Sequence, residues 1–472
     1  MSHSMAFRRE DLTYCTNVHP GQTADEILQN LERYVSEVKR RRGLTEMAVG
    51  IWIGARALQD LEDQGLRQRF KECLQSERLW PTSINGFPYG SFHRDRIKEE
   101  VYEPAWDSPE RLAYTLGLAD LATELLGNAP SGFRQCSVST VPLGFRYHWN
   151  PSRHSKAIRN LIEAERHYAR MSANSGIGLS LGLEMEPGCA LEKTADVLSL
   201  WQDLRAGGLH RIDTGDSGDG SLLHLGLCYD VCHQAVMFED ISESLLLLRE
   251  AKIPIFKYQI SSALRVLWPA PTKADDPEES PHRLADLEAR LAPFCEKRYL
   301  HQTSVREAIQ AANSPEDAES GSAIRFFLDL DQALADGARR GEEWRVHFHV
   351  PVHLDRLDSS GETDAPHKDE AGLYTTRRGI EEALSFLADA TPCPASAKSK
   401  PVLEVETYTW EVLPESVRSR YGDLPQAIVQ EVAWLEQSLQ ERQMLQDSDQ
   451  TGPEKNSSLS TAADGTGTKS AD

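Results

Sequence analysis

Basic residues are in short supply. The 472 residues include 51 Lys and Arg against 73 Asp and Glu, a formal net charge of −22. A surface of that sign repels phosphate backbones and weighs against sequence-independent binding of nucleic acid. Long apolar runs are missing as well. No stretch approaches the roughly 18 consecutive apolar residues of a spanning helix, and Met1–Glu10 lacks the apolar core of a secretion signal. Cysteine is sparse, with 8 residues scattered and no paired C-x-x-C motif. That excludes a disulfide scaffold and a finger-type structural zinc, and leaves buried reduced thiols as the reading. A soluble, cytoplasmic protein without a membrane span is expected. Apolar residues make up 40% of the chain, enough for a sizeable core.

What is present alternates. Strand-like runs occur at Leu12–Val18, Ala48–Ile53, Ser83–Phe87, Cys136–Val141, Gly178–Glu186, Leu223–Tyr229, Ile253–Ile260, Arg345–Val352 and Val402–Tyr408. Amphipathic segments lie between them, such as Ala24–Lys39, where Ile27, Leu28, Leu31, Val35 and Val38 recur at three and four. Strand–helix alternation without hairpin dipeptides predicts βαβ units and a parallel sheet. Nine such runs predict an eight-stranded (β/α)8 TIM barrel with one strand to spare. A doubly wound sheet would carry a Gly-rich turn after its first strand, and Asn17-Val18-His19-Pro20-Gly21 is not one. The expected division is a barrel over 11–414 with an insertion at about 265–345, a C-terminal helix over 415–445, and a disordered tail over 446–472. The tail is Ser, Thr, Gly and Asp with almost no large apolar group. Pro269–Pro281 and Asp355–Lys368 read as surface loops.

In such barrels functional groups gather at the C-terminal ends of strands. Polar residues gather there in this chain, in Glu184-Met185-Glu186, Asp230-Val231-Cys232-His233, Gln259-Ile260-Ser261, His347-Phe348-His349 and Glu404-Val405-Glu406. Strand alternation puts Glu184 with Glu186, His347 with His349, and Glu404 with Glu406 on shared faces. Carboxylates facing a barrel interior must be paired, protonated or bound to a cation. A mixed oxygen and imidazole set suits Mn²⁺, Zn²⁺, Co²⁺ or Mg²⁺, and a structural ion-pair network is the competing reading. Asp230 and His233 could equally be a helix cap and its first turn. Cys232 reads as a packed thiol.

These residues resemble a known group. LEMEPG, LCYDVCH, KYQISSA and LEVETYTW, in that order, resemble the xylose-isomerase-like barrel superfamily. More narrowly, SINGFPYGSFH, STVP, EMEPGC, CYDVCHQAV, KYQISSALR, HFHVPV and EVETYTWEVLP resemble the metabolite traffic protein EboE family, from roughly Leu12 to Pro414. The superfamily resemblance implies a divalent metal held by a fifth-strand Glu, a sixth-strand Asp-x-x-His, a seventh-strand His and an eighth-strand Glu. Carried over, these are Glu186 (Glu184 second), Asp230, His233 and Glu406 (Glu404 second). The seventh position departs. If KYQISSA is that strand, Gln259 replaces the histidine; if HFHVPV is, His347 or His349 restores it. His301 is a further candidate from an inserted segment.

The resemblance implies an isomerase or epimerase for a small polyhydroxylated carbonyl compound, with Glu186 and Glu406 moving the proton. Asn85, His93 and Lys257 are expected to contact substrate, with Tyr89 and Trp410 nearby. The family name implies a secondary-metabolite biosynthesis or traffic pathway and partner proteins within it. A metabolite carrier on the same barrel is the alternative. An endonuclease IV-like nuclease fits poorly, since it needs further histidines and only His93 lies near the third strand.

Overall fold

The computed structural model describes residues 5–208, 224–270, 279–307, 323–357, 371–389 and 400–446. Most of the two expected surface loops, and the expected tail after Gln446, lie outside these residues.

The short apolar runs become parallel strands β1 (Thr13–Tyr14), β2 (Met47–Trp52), β3 (Leu79–Asn85), β4 (Gln135–Thr140), β5 (Gly178–Glu184), β6 (Leu225–Asp230) and β7 (Ile255–Ile260). Five strands follow, β8 (Ala263–Leu267), β9 (Thr303–Arg306), β10 (Ile324–Phe327), β11 (Glu343–His349) and β12 (Gly372–Thr375), and then β13 (Val402–Val405). β1 to β7 and β13 form one parallel sheet in the order β1-β13-β7-β6-β5-β4-β3-β2. β2, β3 and β6 are buried along their whole length, as expected of strands covered by helices outside and by facing strands inside.

The ring closes between β1 and β2. A parallel bridge links Cys15 to Gly50. The hydroxyls of Thr13 and Thr16 accept from the Gly50 and Trp52 N–H groups, each at 3.0 Å, in place of a longer ladder. Gly50 is also a matter of space, because a Cβ there would stand 1.8 Å from Glu404 Oε2 inside the ring. The fold is therefore the expected (β/α)8 barrel.

The surplus strand now has its place. KYQISSA supplies barrel strand β7, whereas HFHVPV supplies β11 in a second, five-stranded sheet of order β10-β9-β11-β8-β12, antiparallel throughout. This sheet runs from Ala263 to Thr375, past the expected 265–345. It is inserted between β7 and the helix Arg377–Asp389, which packs beside the preceding barrel helix Ile241–Glu250. The insertion thus leaves from the C-terminal end of a barrel strand, the face where barrel sites are built. The helix expected over 415–445 is resolved as Glu415–Arg418 and Leu424–Glu441. The longer piece packs against β1, the first barrel helix and helix Arg377–Asp389, completing the outer ring. No described helix is long and apolar enough to cross a membrane. Of the described cysteines all are free; Cys295 is exposed and the others are buried.

Candidate metal centre

Two-residue alternation along three adjacent strands stacks polar side chains inside the ring. Lys257 and Gln259 come from β7, Cys228 and Asp230 from β6, and Glu404 from β13 with Glu406 just beyond it. The register sets Cys228 beside Lys257, and Gln259 beside both Asp230 and Glu404. The lower layer is charge-paired, because Lys257 Nζ meets Glu404 Oε1 at 2.6 Å and both side chains are fully buried, while Glu404 Oε2 has no hydrogen-bond partner. Burial works against the ammonium charge, but Glu404 holds Lys257 well above its usual pKa.

The upper layer has no such counter-ion. Asp230 ends β6 and caps the helix Val231–Val236. Its Oδ1 accepts from the His233 N–H at 3.0 Å and from the Ser261 hydroxyl at 2.7 Å, while its Oδ2 is buried with no hydrogen-bond partner. The cap and the ligand readings are thus both open to one carboxylate, one oxygen serving each. Glu184 Oε2 is likewise buried and unpartnered. One oxygen each from Glu184, Asp230 and Glu406 lie within 4.8 Å of one another.

The imidazoles come from two sources. His233 stands on the helix after β6, and β11 of the inserted sheet delivers His347 and His349. Each ring places Nδ1 on a carbonyl oxygen: His233 on Met185 O at 2.7 Å, His347 on Gln302 Oε1 at 2.7 Å, and His349 on Glu406 O at 2.8 Å. An acceptor at Nδ1 fixes the proton there and leaves Nε2 as a lone pair, the arrangement of metal-ligating histidines. Gln302 is oriented in turn, since its amide nitrogen donates to Pro187 O at 3.0 Å and to the Tyr102 hydroxyl at 2.8 Å. The Nε2 atoms of His347 and His349 are buried without partners. Burial, followed by the neighbouring imidazoles, holds His347 well below its usual pKa; burial dominates in drawing His349 down to about 4. Both rings are therefore neutral at physiological pH. Ligand atoms of Asp230, His233 and His349 form one group within 4.8 Å, and those of Glu186, His233 and His347 another. Cys232, read from sequence as a packed thiol, does pack against Val236 and Ala263, yet it also shares such a group with His347 and His349.

Among the described residues, five carboxylates and a single ammonium are buried in and above the ring: Glu184, Glu186, Asp230, Glu404 and Glu406 against Lys257. The imbalance raises pKa values. Burial, then Glu406 and Asp230, pushes Glu184 well above the carboxylate range. Burial pushes Glu186 up to about 7, and burial with Asp230 pushes Glu406 up to about 8. Orphaned oxygens, unprotonated Nε2 atoms and excess negative charge at one place fit a divalent cation.

The remaining expected residues surround this centre. Gln259 donates to Glu406 Oε2 through its amide nitrogen and accepts from the Cys228 thiol at 3.0 Å through its oxygen, so both ends of the amide are engaged. Asn85 Nδ2 reaches Glu406 Oε1 at 3.3 Å. His93 lies to one side, with Nε2 on Asn17 O at 2.8 Å. Lys257 sits in the layer below, held by Glu404. His301 spends both ring nitrogens, on His347 O and Glu296 Oε1, each at 2.8 Å. Asn17, which lies in the polar run closing the first strand, has no role assigned from sequence, and Tyr102 gives no signal there. Asn17 donates to Glu406 Oε1 at 2.7 Å, and the Tyr102 hydroxyl donates to Glu186 Oε1 at 2.8 Å. A narrow cavity of about 50 Å³ opens above, lined at its floor by Glu184, Glu186, His233, His347, Glu406, Asn17 and Asn85.

No protein-family model and no curated protein matches this chain. Among solved structures it is similar to the IolI protein with a bound zinc atom, at 13% identity and TM-score 0.41 over 91% of this chain and 98% of that one. It is similar to a xylose isomerase-like TIM barrel protein from Mycobacterium smegmatis in complex with magnesium, at 16% identity and TM-score 0.36 over 59% and 79%. It is also similar to 3-keto-D-glucoside 4-epimerase from E. coli, at 11% identity and TM-score 0.32 over 65% and 95%.

Proposed function

We propose that this chain is a divalent-metal-dependent isomerase or epimerase acting on a hydroxy-carbonyl compound of sugar or cyclitol type. The observation that carries the reading is the convergence of Asp230, His233, His347 and His349, each presenting an atom free to ligate, beside Glu184, Glu186 and Glu406. Imidazole-rich ligation favours Mn²⁺, Zn²⁺ or Co²⁺ over Mg²⁺, which prefers oxygen. The inserted sheet supplies the imidazoles that Gln259 withholds at the seventh strand. When bound, the cation acts as a Lewis acid on a carbonyl and its adjacent hydroxyl, acidifying the C–H between them.

The chain's own groups move the proton. Glu186, fixed by the Tyr102 hydroxyl, takes the proton as the C–H bond breaks, and the electron pair shifts towards the carbonyl oxygen. Glu406, fixed by Asn17, Asn85 and Gln259, returns a proton to carbon. Two carboxyl groups facing one site, one to take a proton and one to return it, are suited to both halves of that exchange. The same proposal extends to the metabolite traffic protein EboE resemblance and its secondary-metabolite setting. It is supported by the motifs SINGFPYGSFH, EMEPGC, CYDVCHQAV and HFHVPV, which supply residues of the cavity floor.

Metal analysis of purified protein, followed by solvent deuterium wash-in on ketoses and inososes, tests this. About one equivalent of divalent metal and deuterium at the carbon next to the carbonyl are expected. Bound metal without exchange on any of them would favour a carrier, and absence of both would overturn the reading.

A further inference from the structure

The acids and imidazoles make only the floor of the cavity. Its walls come from three distant parts of the chain, with Phe92 and Ile97 after β3, Tyr299 and Leu300 from the insertion, and Tyr408 after β13. The three aromatic rings pack on one another, with centroids 5.0 Å apart for Phe92–Tyr299, 5.3 Å for Phe92–Tyr408 and 5.0 Å for Tyr299–Tyr408. With Trp52 and Ile97 they form an apolar cluster separate from the main core. The Tyr408 ring also lies 4.7 Å from that of His349, so wall and floor are in contact.

Phe92, Ile97 and Leu300 offer no polar side-chain atom, and the Tyr299 hydroxyl is buried without a hydrogen-bond partner. Lys98 Nζ is taken by Tyr299 O at 2.6 Å and by Asp329. A free sugar carries hydroxyls in every direction. Those turned towards Phe92, Ile97 or Leu300 would lose water and gain no partner, which a site selects against. Building on the metal-dependent reading above, we infer that the ligand is amphiphilic. A hydroxy-carbonyl head meets the floor, and an apolar ring attached to it packs against Phe92, Ile97, Leu300 and Tyr408.

Titration calorimetry on the full chain loaded with Mn²⁺ tests this with three probes, 2-hydroxyacetophenone, hydroxyacetone (the same head with methyl for phenyl) and D-fructose. The phenyl ketone is expected to bind at least about tenfold more tightly than either of the others, as burial of one ring allows. Phe92→Ala should cut that preference below about threefold; Leu300→Asn, at a half-buried position, should do the same and covers the case in which Phe92→Ala fails to fold. D-Fructose binding as tightly as the phenyl ketone, or a preference untouched in folded Leu300→Asn, would overturn the inference. Bound metal with no preference among the probes would sink it while sparing the metal-dependent reading. A phenyl preference in a protein that holds no divalent metal would uphold the apolar walls and sink that reading instead.

Discussion

Two polar layers lie inside this barrel, two residues apart along the same strands, and they reach neutrality by different means. In the lower layer Lys257 and Glu404 meet at 2.6 Å, so the charge is paired there, although Glu404 Oε2 has no hydrogen-bond partner. In the upper layer Asp230, Glu184 and Glu406 have no ammonium among them, and Asp230 Oδ2 and Glu184 Oε2 lack any hydrogen-bond partner. Identical strand geometry thus gives a closed structural pair below and an open, charged site above. The difference lies in what the neighbours add. β7 gives a lysine below but the neutral Gln259 above, and the inserted sheet adds imidazoles only above.

The largest effect is expected from breaking the lower pair. Lys257→Met leaves Glu404 buried without a counter-ion and should cost about 3–5 kcal/mol in denaturant unfolding, with metal content per folded molecule unchanged. The upper layer should respond in the opposite sense. Asp230→Asn should lower metal affinity by at least about 100-fold, while the metal-free variant melts no lower than the metal-free parent because one repulsive charge is gone. Equal metal content in Asp230→Asn would make the upper layer a structural network after all. Gln302→Leu probes the support rather than the ligand. Losing the acceptor that fixes the His347 tautomer should weaken metal binding by about 10- to 100-fold, read by competition with a chelating dye.

Glu431 offers a third way of burying an acid and the smallest effect. It accepts from the Thr407 hydroxyl at 2.7 Å and from the Val352 N–H at 3.0 Å, with no cation beside it, and burial pushes it up to about 7. The folded state then holds a proton that the unfolded state releases near its ordinary value of 4.5. Stability therefore falls as pH rises from about 4.5 to about 7, and the full penalty remains above that. Glu431→Gln keeps both acceptor bonds and removes the penalty. It should gain about 1–3 kcal/mol over the parent at pH 8 and nothing at pH 4, measured by urea unfolding at both. A gain independent of pH would show that Glu431 is not the titrating group.

The barrel was legible because its strands are buried on both faces and read as apolar runs, and Asp230 with His233 was legible because a strand end next to a helix start brings i and i+3 together. The second sheet was not. β8 follows β7 after only Ser261 and Ser262, so the two read as one run, and β9 and β10 are four residues each. β10 exposes Ile324 and Phe326 and so lacks a buried alternate face. The ninth run was visible, but its role as a source of His347 and His349 depended on that unseen sheet. Asn17 and Tyr102 lie on the 3-10 turns Thr16–Val18 and Lys98–Tyr102, where no hydrophobic period reports side-chain direction.

Anomalous diffraction at the zinc edge, from crystals grown with Zn²⁺, addresses the upper layer most directly. One strong peak within bonding distance of Asp230 Oδ2 and the Nε2 atoms of His233 and His349, and none beside Lys257, is the expected result. Density showing those atoms joined only by waters or by shared protons, with no anomalous signal, would contradict it.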